Sequence, residues 1–204
     1  MVARAMEQIS LINRGRETDP KRLGHKLENV MLVSSDIDRD VFAAYLADGI
    51  LGSQRHLIIY GSQRDRALQV SSAVTGHKRL GSTMTSSELT PAFRRLLTNN
   101  KDRISYINVS NAEDITLDNG HGYFRSSPWV SGDILMKLAY RLPPEERGLV
   151  RDPTTGILSF PPDYLQRMSG IQSASFAALC SNKSITVPVA PNCKSKPLLT
   201  PPKK

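Results

Sequence analysis

Four consecutive apolar residues, Leu57, Ile58, Ile59 and Tyr60, stop at Gly61, and Asp65 then stands at the head of a second, helix-periodic apolar segment. The run is too short for a helix, and it is β-branched enough for a strand covered on both faces, the kind found inside parallel sheets. In open α/β sheets, ligands and catalytic groups sit just beyond the carboxyl ends of strands, where Ser62 to Asp65 fall. Asp65 is therefore a candidate for chemistry. It is also a candidate N-cap, because an aspartate ahead of Ala67, Leu68, Val70, Ser71 and Val74 can bind the free amides of a helix start.

Two more runs of the same kind flank it. Val30 to Val33 predicts a strand that ends in Ser34-Ser35-Asp36-Ile37-Asp38, ahead of a helix carrying Val41, Phe42, Tyr45 and Leu46. Ile104 to Val109 predicts a third strand, followed by an irregular loop and His121. Val2, Ala5, Met6, Ile9 and Ile12 recur at helical spacing, so the chain opens with an amphipathic helix to about Asn13, which has no capping residue ahead of it. A polar loop over Gly15 to Lys26 follows. The connection from Gly76 to Asp102 is long and basic, with a short helix expected over Pro91 to Leu97. Ser127 and Pro128 supply an N-cap and a first-turn proline for a last helix with Val130, Ile134, Leu135 and Leu138. Helices alternating with buried strands predict an α/β fold in three layers around a parallel sheet.

We expect this domain to span 1–142. Over 143–168 the composition becomes that of an extended segment packing on the domain, with Phe160, Tyr164 and Leu165 as anchors. Over 169–204, five prolines and scattered lysines predict a disordered basic tail, which cannot bury enough apolar surface to offset the entropy of ordering it. Six cationic residues without an acid follow Asp163, so most of the net charge of +8 belongs to this end. That distribution gives no specific nucleic-acid surface, and a solvated tail accounts for it. The only cysteines, Cys180 and Cys193, lie there too and fit either redox compartment. His25, His56, His77 and His121 form no pair at ligand spacing, so no metal and no cofactor is expected. No signal peptide or membrane-spanning segment is legible, and the chain reads as soluble and, by default, cytoplasmic, with any upstream signal left open.

One constellation carries chemistry: an aspartate after the middle strand and a histidine after the next. In a Ser-His-Asp triad the histidine takes the nucleophile's proton while the acid fixes its tautomer. The order acid then histidine is that of α/β-hydrolases. The segments NVMLVSSDIDRDVF, LIIYGSQRDRALQVSSAVTGHKRLG, GHGYFRSSPWVSGDI and LPPEERGLVRDPTTGILSFPPDYLQR resemble the C-terminal part of a bacterial α/β-hydrolase family of unassigned function, over about Met1 to Met168. The resemblance implies a serine hydrolase with Asp65 as triad acid and His121 as base, acting on a small-molecule ester. Asp36 is the alternative acid, one strand earlier, and Asp38 stands beside it.

The departure from that pattern lies in the nucleophile. Neither Gly-x-Ser-x-Gly nor His-Ser-x-Gly occurs in the sequence, so the expectation is a partial α/β-hydrolase fold lacking the N-terminal strands and nucleophile elbow. Such a fragment, truncated just after the reacting serine, would be inactive alone. A non-catalytic binding module that uses the half-fold and the basic tail is the alternative. A nucleotide- or phosphate-binding α/β domain is disfavoured, because no glycine-rich strand-to-helix turn is present.

Overall fold

The computed structural model describes residues 2–16, 27–85, 87–115 and 117–169. Its elements in chain order are α1 (Val2–Arg16), β1 (Leu27–Val33), α2 (Arg39–Ala47), β2 (Gln54–Gly61), α3 (Arg66–Thr75), α4 (Pro91–Asn99), β3 (Ile104–Asn108), α5 (Tyr123–Ser126), α6 (Pro128–Tyr140), β4 (Val150–Arg151) and β5 (Leu158–Ser159). The sheet has five strands in the order β1-β2-β3-β5-β4. β1, β2, β3 and β5 run parallel, and β4 pairs antiparallel with β5.

Alternation along the strands feeds two cores. Val30, Leu32, Leu57, Ile59, Ile104 and Tyr106 face one side, where they meet Met6 of α1, Phe42 of α2 and Leu97 of α4. Ile58, Tyr60, Ile107 and Val109 face the other, against Tyr123 of α5 and Val130 and Met136 of α6. A period-two pattern buried on both faces is what an inner parallel strand requires, and β2 is buried from Leu57 to Gly61. β1 is an outer strand, and an open cleft lined by Ala3, Met31, Leu32 and Val33 runs beside it.

Several boundaries and faces differ from the sequence reading. β1 starts at Leu27 because Leu27 and Asn29 are already in register with Gln54 and His56 of β2. α1 buries Ala3, Met6 and Ser10 and leaves Ile9 exposed; its inward stripe is set by the Ser10 hydroxyl, which donates to the Gly49 carbonyl at 2.5 Å. α3 buries Leu68 alone, while Val70 and Val74 face water. α6 buries Val130, Asp133, Met136 and Lys137 and exposes Leu135 and Leu138. A stripe at i, i+3 and i+7 is helical spacing, but two of its members are charged.

The stretch after Pro143 contributes two short strands that the sequence did not announce, since a pair of residues is too few for a periodic signal. Phe160 and Tyr164 are anchors as expected, stacked edge-on at 4.7 Å between centroids with Trp129 against both; Leu165 is exposed. Ser169 closes a helical turn over 164–169. The rest of the expected tail, with Cys180 and Cys193, lies outside the described residues, as does the loop over 17–26. No described helix is long and apolar enough to cross a membrane.

Candidate active site

The carboxyl ends of β1, β2 and β3 are tied together by three devices. The segment after α3 crosses the ends of β1 and β2: Gly81 N–H donates to the Ser35 carbonyl, and Ser62 N–H donates to that of Gly81. A Cβ on Gly81 would come within 2.5 Å of Ser35 N, so only glycine allows this approach. Tyr123 then bridges the two strand ends, donating its hydroxyl to the Tyr60 carbonyl at 2.9 Å and accepting from Ser34 N–H at 3.0 Å. Burial pushes its hydroxyl up to about 12, so it stays a neutral donor. The third device is Gly120, with φ +72°, whose missing Cβ would sit 2.2 Å from the Arg64 carbonyl oxygen. This contact presses the loop after β3 onto the start of α3, and His121 is the next residue.

Asp65 and His121 meet at this junction. The Asp65 carboxylate is completely buried, and its two oxygens do different work. Oδ1 accepts the Leu68 N–H at 3.1 Å, capping α3. Oδ2 lies 2.9 Å from His121 Nδ1. The helix cap and the contact with His121 use the two oxygens of one carboxylate and do not compete. Facing a carboxylate, Nδ1 is the nitrogen that carries the proton, which leaves Nε2 as the basic one. The His121 side chain is 49% exposed, and Nε2 has no hydrogen-bond partner among the described residues. The arrangement can take a proton from a group arriving at Nε2 while the buried carboxylate stabilises the imidazolium.

Asp36 is not beside His121. It is largely exposed, 3.2 Å from Arg79 Nε, and accepts from the Ser71 hydroxyl at 2.7 Å. Asp38 caps α2 through the Asp40 and Val41 amides and pairs with His77 at 3.0 Å. The bond to the Val41 amide is the largest cause holding its carboxyl below the ordinary value. Asp38, Asp40 and His77 bring one ligand atom each within 4.8 Å of one another. They lie at the surface, and the cap and ion pair already account for Asp38. Ser34, with φ 47°, follows β1 directly, but its hydroxyl is spent on the His121 backbone carbonyl at 3.2 Å and does not face the ring.

Gly120 and Tyr123 escaped the sequence reading although both sit within three residues of His121. The Gly-His-Gly-Tyr string marks a turn; which backbone it approaches is a matter of tertiary placement. No curated protein and no solved structure matches the chain. Residues 1–138 match the family described as alpha/beta hydrolase of unknown function (DUF900). With a mostly parallel sheet, an acid after β2 and a histidine after β3, the chain belongs to this alpha/beta hydrolase family.

Proposed function

We propose that the chain is the acid–base part of an ester-cleaving serine hydrolase, with Asp65 holding His121 and His121 Nε2 receiving the proton of a serine presented from an elbow outside these residues. The hydrogen bond of 2.9 Å between the buried Asp65 carboxylate and the half-exposed His121 is the observation that carries the reading. In the acylation step the serine oxygen attacks the ester carbonyl carbon and its proton passes to Nε2. The imidazolium then gives that proton to the departing alkoxide, and a water molecule repeats the sequence to free the acid. The edge of β1 that pairs with no strand among the described residues is where the strand that bears the elbow would dock.

By itself the 204-residue chain, which has no serine elbow motif, is expected to hydrolyse p-nitrophenyl acetate and butyrate no faster than background. A chain extended at its amino end by residues that restore a His-Ser-Met-Gly elbow should turn both over, and His121→Ala should lower that rate by a factor on the order of 10⁴ to 10⁶. Turnover by the unextended chain that survives His121→Ala would exclude the proposal.

A further inference from the structure

The amino ends of the strands hold a second, separate feature. α6 starts at the carboxyl edge, next to the His121 loop, and ends at the opposite edge of the sheet, where Lys137 and Arg141 join His56, Asp102 and Arg103 around a cavity of about 310 Å³. Six cationic side chains line it, Lys101, Arg103, Lys137, Arg141, Arg147 and Arg151, against two carboxylates, Asp102 and Glu145. Glu145 is already taken by Arg151 at 2.8 Å. The volume is in the range of small-ligand pockets.

Two of the cations are buried and keep donors that no described residue takes up. Lys137 is only 6% exposed, yet it makes no ion pair or hydrogen bond among the described residues. Of the two acids that act on it, Glu28 pairs with Arg55, and Asp133 pairs with Arg147 through Oδ2 while its Oδ1 has no hydrogen-bond partner among the described residues. Arg147 is fully buried, and its Nε has no acceptor among the described residues. Lys137 and the neighbouring Arg147 Nε keep donors that no described residue takes up, and an anion in the cavity would supply the missing acceptors.

We propose that this cavity binds a phosphate-bearing small molecule, Lys137 and the free Nε of Arg147 holding the phosphoryl oxygens at its floor and Lys101 and Arg141 closing over them at its mouth. A carboxylate would satisfy one guanidinium fork; the number of cations here suits a dianion with three terminal oxygens. The site does not depend on the Asp65–His121 reading, because it lies at the other end of the sheet and shares no residue with it.

Calorimetric titration of the full chain with inorganic phosphate and with glycerol 3-phosphate, at a constant ionic strength of about 0.15 M, tests the proposal. Saturable binding of one equivalent is expected, about tenfold or more weaker in Lys137→Met, weaker again in the exposed-site variant Arg141→Ser, and unchanged in Arg95→Ser, which lies outside the cavity. Tighter binding of glycerol 3-phosphate would identify an organic phosphate as the ligand, and equal binding would identify the free anion. Absence of saturable binding of either, or binding that Arg141→Ser and Lys137→Met leave intact, would overturn the site. Should Lys137→Met fail to fold, Arg141→Ser against Arg95→Ser decides it.

Discussion

Two aspartates are completely buried among the described residues, and their surroundings differ in whether the partner of the carboxylate reaches solvent. Asp65 faces a histidine whose far side reaches water. Asp133 faces Arg147, itself 1% exposed, and accepts from the Tyr60 hydroxyl at 2.7 Å. Asp65 has a partner on each oxygen, whereas Asp133 Oδ1 has none among the described residues. Burial pushes the Asp133 carboxyl up against the opposing pull of Arg147, and burial also drives the Tyr60 hydroxyl well up. A buried carboxylate thus becomes useful for proton transfer when its partner connects it to solvent, and serves to fix packing when its partner is buried as well.

The largest expected effect breaks the closed pair. Asp133→Ala strands the Arg147 charge in the core and should cost about 3 to 5 kcal/mol in urea unfolding. Asp65→Ala, at equal burial, should cost only about 1 to 2 kcal/mol, because it removes one helix cap and leaves a histidine that water can reach. Equal losses would erase the distinction. The double substitution Asp133→Leu with Arg147→Met should recover most of the loss, as replacement of buried ion pairs by apolar side chains commonly does.

Gly120→Ala comes next. A methyl group 2.2 Å from the Arg64 carbonyl oxygen cannot be accommodated, and φ +72° is unfavourable for alanine. The loop must lift, at about 1 to 3 kcal/mol, and His121 should lose its contact with Asp65. The His121 ring resonances in NMR report this: they should move toward those of an exposed histidine, while the resonances around Tyr60 and Asp133 stay in place.

The smallest effect concerns an aspartate that is a helix cap at the surface. Asp38 has a lowered carboxyl value in the folded chain, caused first by the Val41 amide. A depressed acid stabilises the fold above its unfolded value, and that contribution is lost as pH falls through the folded one. Asp38→Ala should therefore cost about 1 kcal/mol near neutral pH and progressively less below pH ~4. A difference that persists undiminished into acid would show that the cap does not act through the charged carboxylate.

How much of this was legible beforehand follows from how far each signal reaches. The strands at Leu57 and Ile104 and the caps at Asp65 and Ser127 are local patterns, and the structure places them within a few residues of expectation. The inward face of α6 was misread because Asp133 and Lys137 sit where apolar residues would be expected. Asp133 is tolerated there only through Tyr60 and Arg147, which come from β2 and from the turn Glu145–Arg147. The meeting of Asp65 and His121 follows from parallel neighbours being in register, Gly61 opposite Asn108, which a sequence can suggest. Gly120 and Tyr123, which set the distance, act on groups about sixty or more positions away in the chain and give no periodic sign.

Asp65 starts α3 and, through its other oxygen, is expected to fix the tautomer of His121. Nitrogen-15 NMR of the ring tests it most directly, in the unaltered chain and in Asp65→Asn. In the neutral form of the ring the proton is expected at Nδ1, facing Asp65, with Nε2 free. In Asp65→Asn the side-chain oxygen remains on the Leu68 amide, the new NH₂ group faces Nδ1 as a donor, and the proton should move to Nε2. A ring already protonated at Nε2 in the unaltered chain, or one that Asp65→Asn leaves unchanged, would show that Asp65 does not set the tautomer.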